Sequence, residues 1–254
     1  MRNLKYTTQL TQGTGIVDET LALLSIYEEN MDKMRLFEVA RDKDILSFNT
    51  ERRLKNLVTE AFYPRFVKPN PNIPLWLYRA RKRGLSLAEI KQLFMVYCAR
   101  ENAVFFDGVT KVLNEVKAKG ESVLQPSTML DFVKMIIDSG QASWSEIIQK
   151  RNSSYVRSTM FDFDMIDRRG NILPYEISDF ALMYLMYEAH FDGQSDMSIW
   201  NMEEWQLFNL SSNDVLERIM SLSFRGAYVA QSSGDLLTIS WNYKSMEEFI
   251  DATI

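Results

Sequence analysis

The feature that most limits what this chain can become is its periodicity. Apolar residues return every three to four positions along most of its length, and nothing alternates strands with helices in the way a parallel sheet requires. In residues 51–63, Leu54, Leu57, Val58, Ala61 and Phe62 follow i, i+3, i+4, i+7, i+8 spacing. Asn49 or Thr50 is positioned as the N-cap of that helix, and Pro64 is expected to end it. Three prolines within Lys68–Pro74 predict a non-helical connection. Pro74 suits the start of a short helix through Arg83, stopped by Gly84. Ser86 and Glu89 have the spacing of a capping box that opens an apolar helix to about Arg100. The next helix, ending at Gly120, is expected to bury Val104, Phe105, Val109, Val112, Leu113 and Val116.

Beyond Gly120 the spacing predicts three helical segments in close succession. They are Met129–Asp138, a second opened by a capping box at Ser143 and Glu146, and a third from about Ser154 to Ile166. A turn at Arg168-Arg169-Gly170-Asn171 and a short strand at Ile172-Leu173 follow. Three helices and a short β element fit a winged helix-turn-helix. The last third repeats the theme: helices at Pro174–Phe191 and Asp214–Leu222, then a hairpin whose strands flank Gln231–Asp235. A helix opened by Ser245 and Glu248 closes the chain. The expected fold is mainly α, with two small helical domains, 1–120 and 121–254. It carries one or two winged-helix-like units and a short C-terminal β-hairpin.

Composition bears on compartment and partners. With 46% hydrophobic and 25% charged residues, the 254-residue chain has enough apolar material to fold without metal or disulfide. The single cysteine, Cys98, cannot bridge within the chain, which fits a reducing compartment. Residues 1–15 lack the apolar core of a signal peptide. The longest apolar runs, Phe180–Tyr187 and Leu93–Ala99, are too short to span a bilayer and read as core helices. A cytoplasmic protein without membrane contact is expected. The net charge of −5 hides an asymmetry: residues 1–120 carry 20 Lys/Arg against 14 Asp/Glu, and residues 176–254 carry 3 against 13.

The residues that would perform catalysis are scarce. One histidine, His190, and one cysteine cannot build a Cys/His zinc site or a nucleophilic triad. Gln12-Gly13-Thr14-Gly15-Ile16 lacks the third glycine and the Lys-Ser/Thr of a phosphate-cradling loop, and reads as a lead-in to the first helix. Asp162, Asp164 and Asp167 miss the ligand spacing of an EF-hand and read as solvated helix surface. No enzyme, no cofactor, no metal and no small-molecule substrate are expected.

Cations offer more. Residues 51–100 hold 11 Lys/Arg and only 3 Asp/Glu. Arg52 and Lys55 share the flank of their helix away from the apolar stripe, and Arg79, Arg81 and Lys82 end the next one. Such a cluster can neutralise phosphates, although cations in a last helical turn also complement the macrodipole. If the third segment after Gly120 starts beyond Ser153, then Val156, Met160, Phe163 and Ile166 face inward. Ser154, Arg157, Ser158 and Phe161 then face outward, with Lys150 and Arg151 in the preceding turn. That half of the helix is where base edges are read, and the two cations would grip phosphate.

The opening of the chain carries a resemblance. Tyr6-Thr-Thr-Gln-Leu-Thr, then Gly13-Thr-Gly-Ile, then Glu19-Thr20 before Leu21–Leu24 resembles the start of BrxA, a family of bacterial BREX phage-defence systems. The Asp42–Leu46 stretch before Arg52-Arg53-Leu54 is similar to the family's next segment. The resemblance implies a non-enzymatic defence component that binds double-stranded DNA and works beside other BREX proteins. The family carries no fixed motif to these positions; charge and geometry alone make Arg52, Lys55, Arg79, Arg81, Lys82, Lys150, Arg151, Ser154 and Arg157 the expected DNA contact. The alternatives are a protein-interaction adaptor, which exposed Trp200, Trp205 and Phe208 would support, and an RNA-binding helical protein.

Overall fold

The computed structural model describes residues 5–46 and 50–254. Helices dominate them, in this order: α1 (Val17–Leu24), α2 (Lys33–Asp42), α3 (Glu51–Asn56), α4 (Ile73–Arg83), α5 (Leu87–Glu101), α6 (Ala103–Asp107), α7 (Asn114–Ala118), α8 (Pro126–Asp138), α9 (Glu146–Asp162), α10 (Asp179–Phe191), α11 (Asp196–Trp200), α12 (Ser212–Leu222) and α13 (Met246–Thr253). The antiparallel strands β1 (Tyr228–Ser233) and β2 (Leu236–Trp241) lie between the last two helices. Mainly helical architecture with a small C-terminal hairpin is therefore correct.

The chain forms two compact units, each discontinuous in sequence. One holds residues 1–78 and 93–175, the other residues 79–92 and 176–254. Gly120, where the sequence reading places a domain boundary, lies inside the first unit. The stretch before it packs with the stretch after it: the Phe105 and Phe163 rings stand 6.0 Å apart. The first unit's core also contains the Leu93–Ala99 run, 0–1% exposed throughout, with Phe66 set edge-on to Phe94 and Tyr97. In the second unit α10 is buried along nearly its whole length, and Phe249 of α13 stacks on Tyr187 at 4.5 Å. A helix apolar on all sides belongs inside a protein, and both long apolar runs do.

Several expected boundaries move, each for a physical reason. Thr50 caps α3 by accepting from the Arg53 amide; Asn49 lies outside the described residues. Pro64 does not end the helix. The chain winds on as a π-helix over Leu57–Val67, where bonds such as Lys68 N–H to Tyr63 C=O reach five residues back and pass the missing proline amide. The Ser86–Glu89 capping box forms in both directions. The Ser143–Glu146 box does not: Ser145 stands at the N-cap of α9, and the two segments expected on either side of Ser153 are one continuous 17-residue helix. Ser153 is buried, its hydroxyl donating to the Lys150 carbonyl, so it satisfies itself inside a helix instead of capping one. Residues 174–178 are not helical. Ser178 caps α10 by accepting from the Ala181 amide, and Gln92 holds the approach through Glu176 C=O and Ser178 N–H. The hairpin loop has two residues instead of five, because pairing runs to Ser233 and Leu236; Gly234, at φ +58°, takes the turn.

Candidate nucleic-acid interface

The exposed face of α9 is the strongest candidate contact surface. Ile147, Lys150, Arg151, Ser154, Ser158 and Phe161 occur at i, i+3, i+4, i+7, i+11 and i+14, which places them on one stripe. All are exposed except Ser158, which is half-buried. The opposite face is core: Val156 and Met160 are fully buried, as are Phe163 and Ile166 just beyond the helix. The expected inward residues and the outward Ser154 and Phe161 are thus correct, whereas Arg157, expected outward, is half-buried because it packs against the tip at Gly170. The placement of Lys150 and Arg151 in a separate turn is not correct, since they share the helix and the stripe with Ser154.

The segment after α9 folds back as a tight hairpin. Ile166 bridges Ile172, Val123 bridges Asn171, and Ile172 N–H donates to Ser122 C=O at 2.8 Å. The tip is organised by Asp167, whose carboxylate accepts from the Asn171 side-chain amide and from the Asn171 and Arg169 backbone N–H groups; these bonds, the Asn171 side chain's first, hold it below the usual carboxylate range. Arg168 and Arg169 project from this tip into solvent, and the Arg168 guanidinium lies 5.7 Å over the Phe161 ring. Gly170 is required there. It has φ +90°, and a Cβ on it would come within 2.7 Å of Leu124 C=O and 2.8 Å of the Arg157 guanidinium. Arg157 is thereby wedged against the tip, half-buried, with no hydrogen-bond partner for its Nε. Burial pushes its guanidinium below the ordinary arginine value, with no carboxylate to offset it.

The other predicted cations divide. Arg52 and Lys55 of α3 are exposed and belong to the first unit. Arg79, Arg81 and Lys82 belong to the second unit and are already engaged there. Arg79 forms a two-point pair with Asp251 of α13, one arm at 2.7 Å, and Arg83 joins it through the Asp251 carboxylate and carbonyl. That pairing keeps Asp251 well below the usual carboxylate range. Arg81 donates to Leu85 C=O at 2.7 Å, the helix-ending role open to any last-turn cation. Lys82 is exposed and makes interactions of its own.

Sequence reasoning missed two arrangements. The Gly13-Thr14-Gly15 loop is clamped, not free: buried Arg65 donates to Gly13 C=O and Thr14 C=O, and Asp162 accepts from Gly15 N–H at 2.8 Å. Asp162 is therefore a loop anchor and not solvated surface. Both partners lie far from the loop in sequence, so no local spacing could reveal them. The tip cations Arg168 and Arg169 were legible as a turn, but their company with α9 depends on the bridges. Trp200, Trp205 and Phe208, offered as an exposed patch, are buried, and both indole N–H groups donate to carbonyls. Among the described residues no three His, Cys, Asp or Glu side chains gather as a metal site, and no helix is long and apolar enough to cross a membrane.

The BrxA family model matches residues 4–188, nearly three-quarters of the chain and all of the α8–α9 region. The chain belongs to the BrxA family. This makes it a component of a BREX phage-defence system, as the N-terminal motifs imply. A crystal structure of an uncharacterized protein from Magnetospirillum magneticum is similar to this BrxA chain with a TM-score of 0.62 at 10% identity. The match covers 82% of the BrxA chain and 100% of the other, a likeness of fold. No curated protein matches it.

Proposed function

We propose that this BrxA protein is a non-enzymatic DNA-binding component of its defence system, gripping duplex DNA through α9 and the tip that follows it. The observation that carries the reading is one exposed stripe holding Lys150, Arg151 and Ser154, continued by Arg168 and Arg169 at the tip. The reading is supported by the order of elements, which is compatible with a winged helix: the helical run 103–118, an isolated bridge at Val123, α8, α9, then the Ile166–Ile172 hairpin. The connection between α8 and α9 is longer than the tight turn of the simplest helix-turn-helix, which leaves the N-terminal half of α9 prominent. A helix so placed enters the major groove, while the cations on its flank and tip neutralise phosphates. Arg157, wedged against Gly170, braces the tip.

The reading also assigns the scarce reactive residues to packing. His190 stacks on Trp241 at 4.4 Å, and Cys98 is wholly buried. A cytoplasmic location follows from work on DNA in a bacterial defence system.

Binding of a fluorescent duplex, followed by anisotropy across a salt series, tests the proposal. Wild type should bind at low salt and weaken linearly in log–log form as salt rises. Lys150→Gln with Arg151→Gln should weaken binding and flatten the slope; no binding at low salt would refute the DNA reading. A protein-adaptor role is favoured by one observation, the 93% exposure of Phe224 beside a hairpin that exposes Val229 and Leu236. Capture of purified BREX subunits by wild type but not by Phe224→Ser would support it.

A further inference from the structure

Resting on the DNA reading above, we propose that Ile147 makes α9 selective for thymine, by packing against the C5 methyl group at the floor of the major groove. Ile147 is the second residue of α9 and is 66% exposed. It contributes nothing evident to the core, unlike Val156 and Met160 on the buried face. Its place on the helix is what matters. Lys150 and Arg151 follow one turn later on the same stripe, and Ser154 one turn after that. The stripe thus begins with a branched aliphatic side chain and continues with two cations.

Charge identifies the kind of partner. Lys150 and Arg151 follow Ile147 on the stripe and Arg168 and Arg169 stand at the tip beyond its far end; these four exposed cations outnumber the exposed carboxylates of the same segment, Glu146 and Asp164, which suits a polyanion. The first residues of a helix seated in the major groove are the ones that meet base edges. There, guanine, adenine and cytosine present hydrogen-bonding groups that an isoleucine would desolvate without replacing. Thymine alone adds a methyl group, which gains from contact with an aliphatic side chain. Burying one methyl corresponds to roughly a threefold to fivefold gain in affinity.

The test compares two A·T-rich duplexes that differ only in the C5 methyl, one with thymine and one with deoxyuridine. Dissociation constants are measured by anisotropy for wild type and Ile147→Ala, with circular dichroism to verify folding. Wild type should prefer thymine by a few-fold for each methyl contacted, and Ile147→Ala should bind both duplexes alike, near the wild-type value for deoxyuridine. In the converse arm, 5-methylcytosine in a G·C-rich duplex should strengthen binding by wild type and not by the variant. Equal binding of both duplexes by wild type, with the salt dependence intact, would overturn the thymine contact and leave the DNA reading standing. Discrimination that survives Ile147→Ala would also overturn it. No binding of either duplex by wild type would remove both readings.

Discussion

At the scale of single residues, the protein relies on contacts that join distant parts of the chain. Gly15 is the sharpest case. A Cβ there would stand 2.3 Å from the Asp162 Cβ, so Gly15→Ala must move either the loop or the end of α9 and lose the Gly15 N–H to Asp162 bond. The expected cost is about 1–3 kcal/mol of stability, measurable by urea unfolding, through overpacking and an orphaned polar group. His190 has a different consequence. Its stack on Trp241 desolvates it and lowers its pKa from the ordinary 6.5, an effect only partly opposed by Asp196. A base whose folded pKa is depressed takes up more protons when unfolded, so stability is lost as pH falls through about 6.5 toward the lowered value. Unfolding at pH 7.5 and pH 5.5 should show wild type weakening, and His190→Phe, which keeps an aromatic stack, should weaken less.

At the scale of elements, local rules are reliable wherever both partners of a contact are near in sequence. The capping box of Ser86 and Glu89, the left-handed stops at Gly84 and Gly120, and the turn at Gly170 all follow from spacing alone. They fail where a residue has two local ways to be satisfied. Ser153 has the side chain of an N-cap, yet in a continuous helix it bonds back to Lys150, and the packing of Val156 and Met160 on the core decides for the helix. The candidate surface is legible to the same degree: Ser154 and Phe161 read as outward, but the continuity of α9 does not, so Lys150 reads as part of a turn. The continuity of α9 has a direct test. Near a helix start a proline at position 154 would be tolerated, whereas midway through α9 it removes a hydrogen bond and clashes with the preceding turn. Ser154→Pro should therefore cost about 3 kcal/mol or more in thermal or denaturant unfolding. A change of a few tenths of that would indicate a break in the helix.

At the scale of the whole molecule, the charge asymmetry of the sequence is redistributed by the fold. A basic front and an acidic tail suggest two separate surfaces. The unit containing residues 79–92 and 176–254 instead combines them, with 8 Lys/Arg against 14 Asp/Glu, while the other unit holds 21 against 20. The cations at the end of α4 therefore face carboxylates of their own unit, as Arg79 and Arg83 do with Asp251. An arginine held in a two-point carboxylate pair must surrender that partner before it can take a phosphate, and the exchange gains little. Among the described residues Lys150 and Arg151 make no such pair, so on the proposed DNA reading they would release counterions at full value. Two double variants of equal charge change distinguish these surfaces. Lys150→Gln with Arg151→Gln should reduce the magnitude of the salt slope by about 2, as expected when two phosphate contacts are lost. Arg79→Gln with Arg81→Gln should leave the slope close to wild type and appear instead as lower stability, because Asp251 loses its partner and Leu85 C=O its donor. The reverse ranking would mean that DNA displaces Asp251 from α4, and would move the principal phosphate contact from α9 to the second unit.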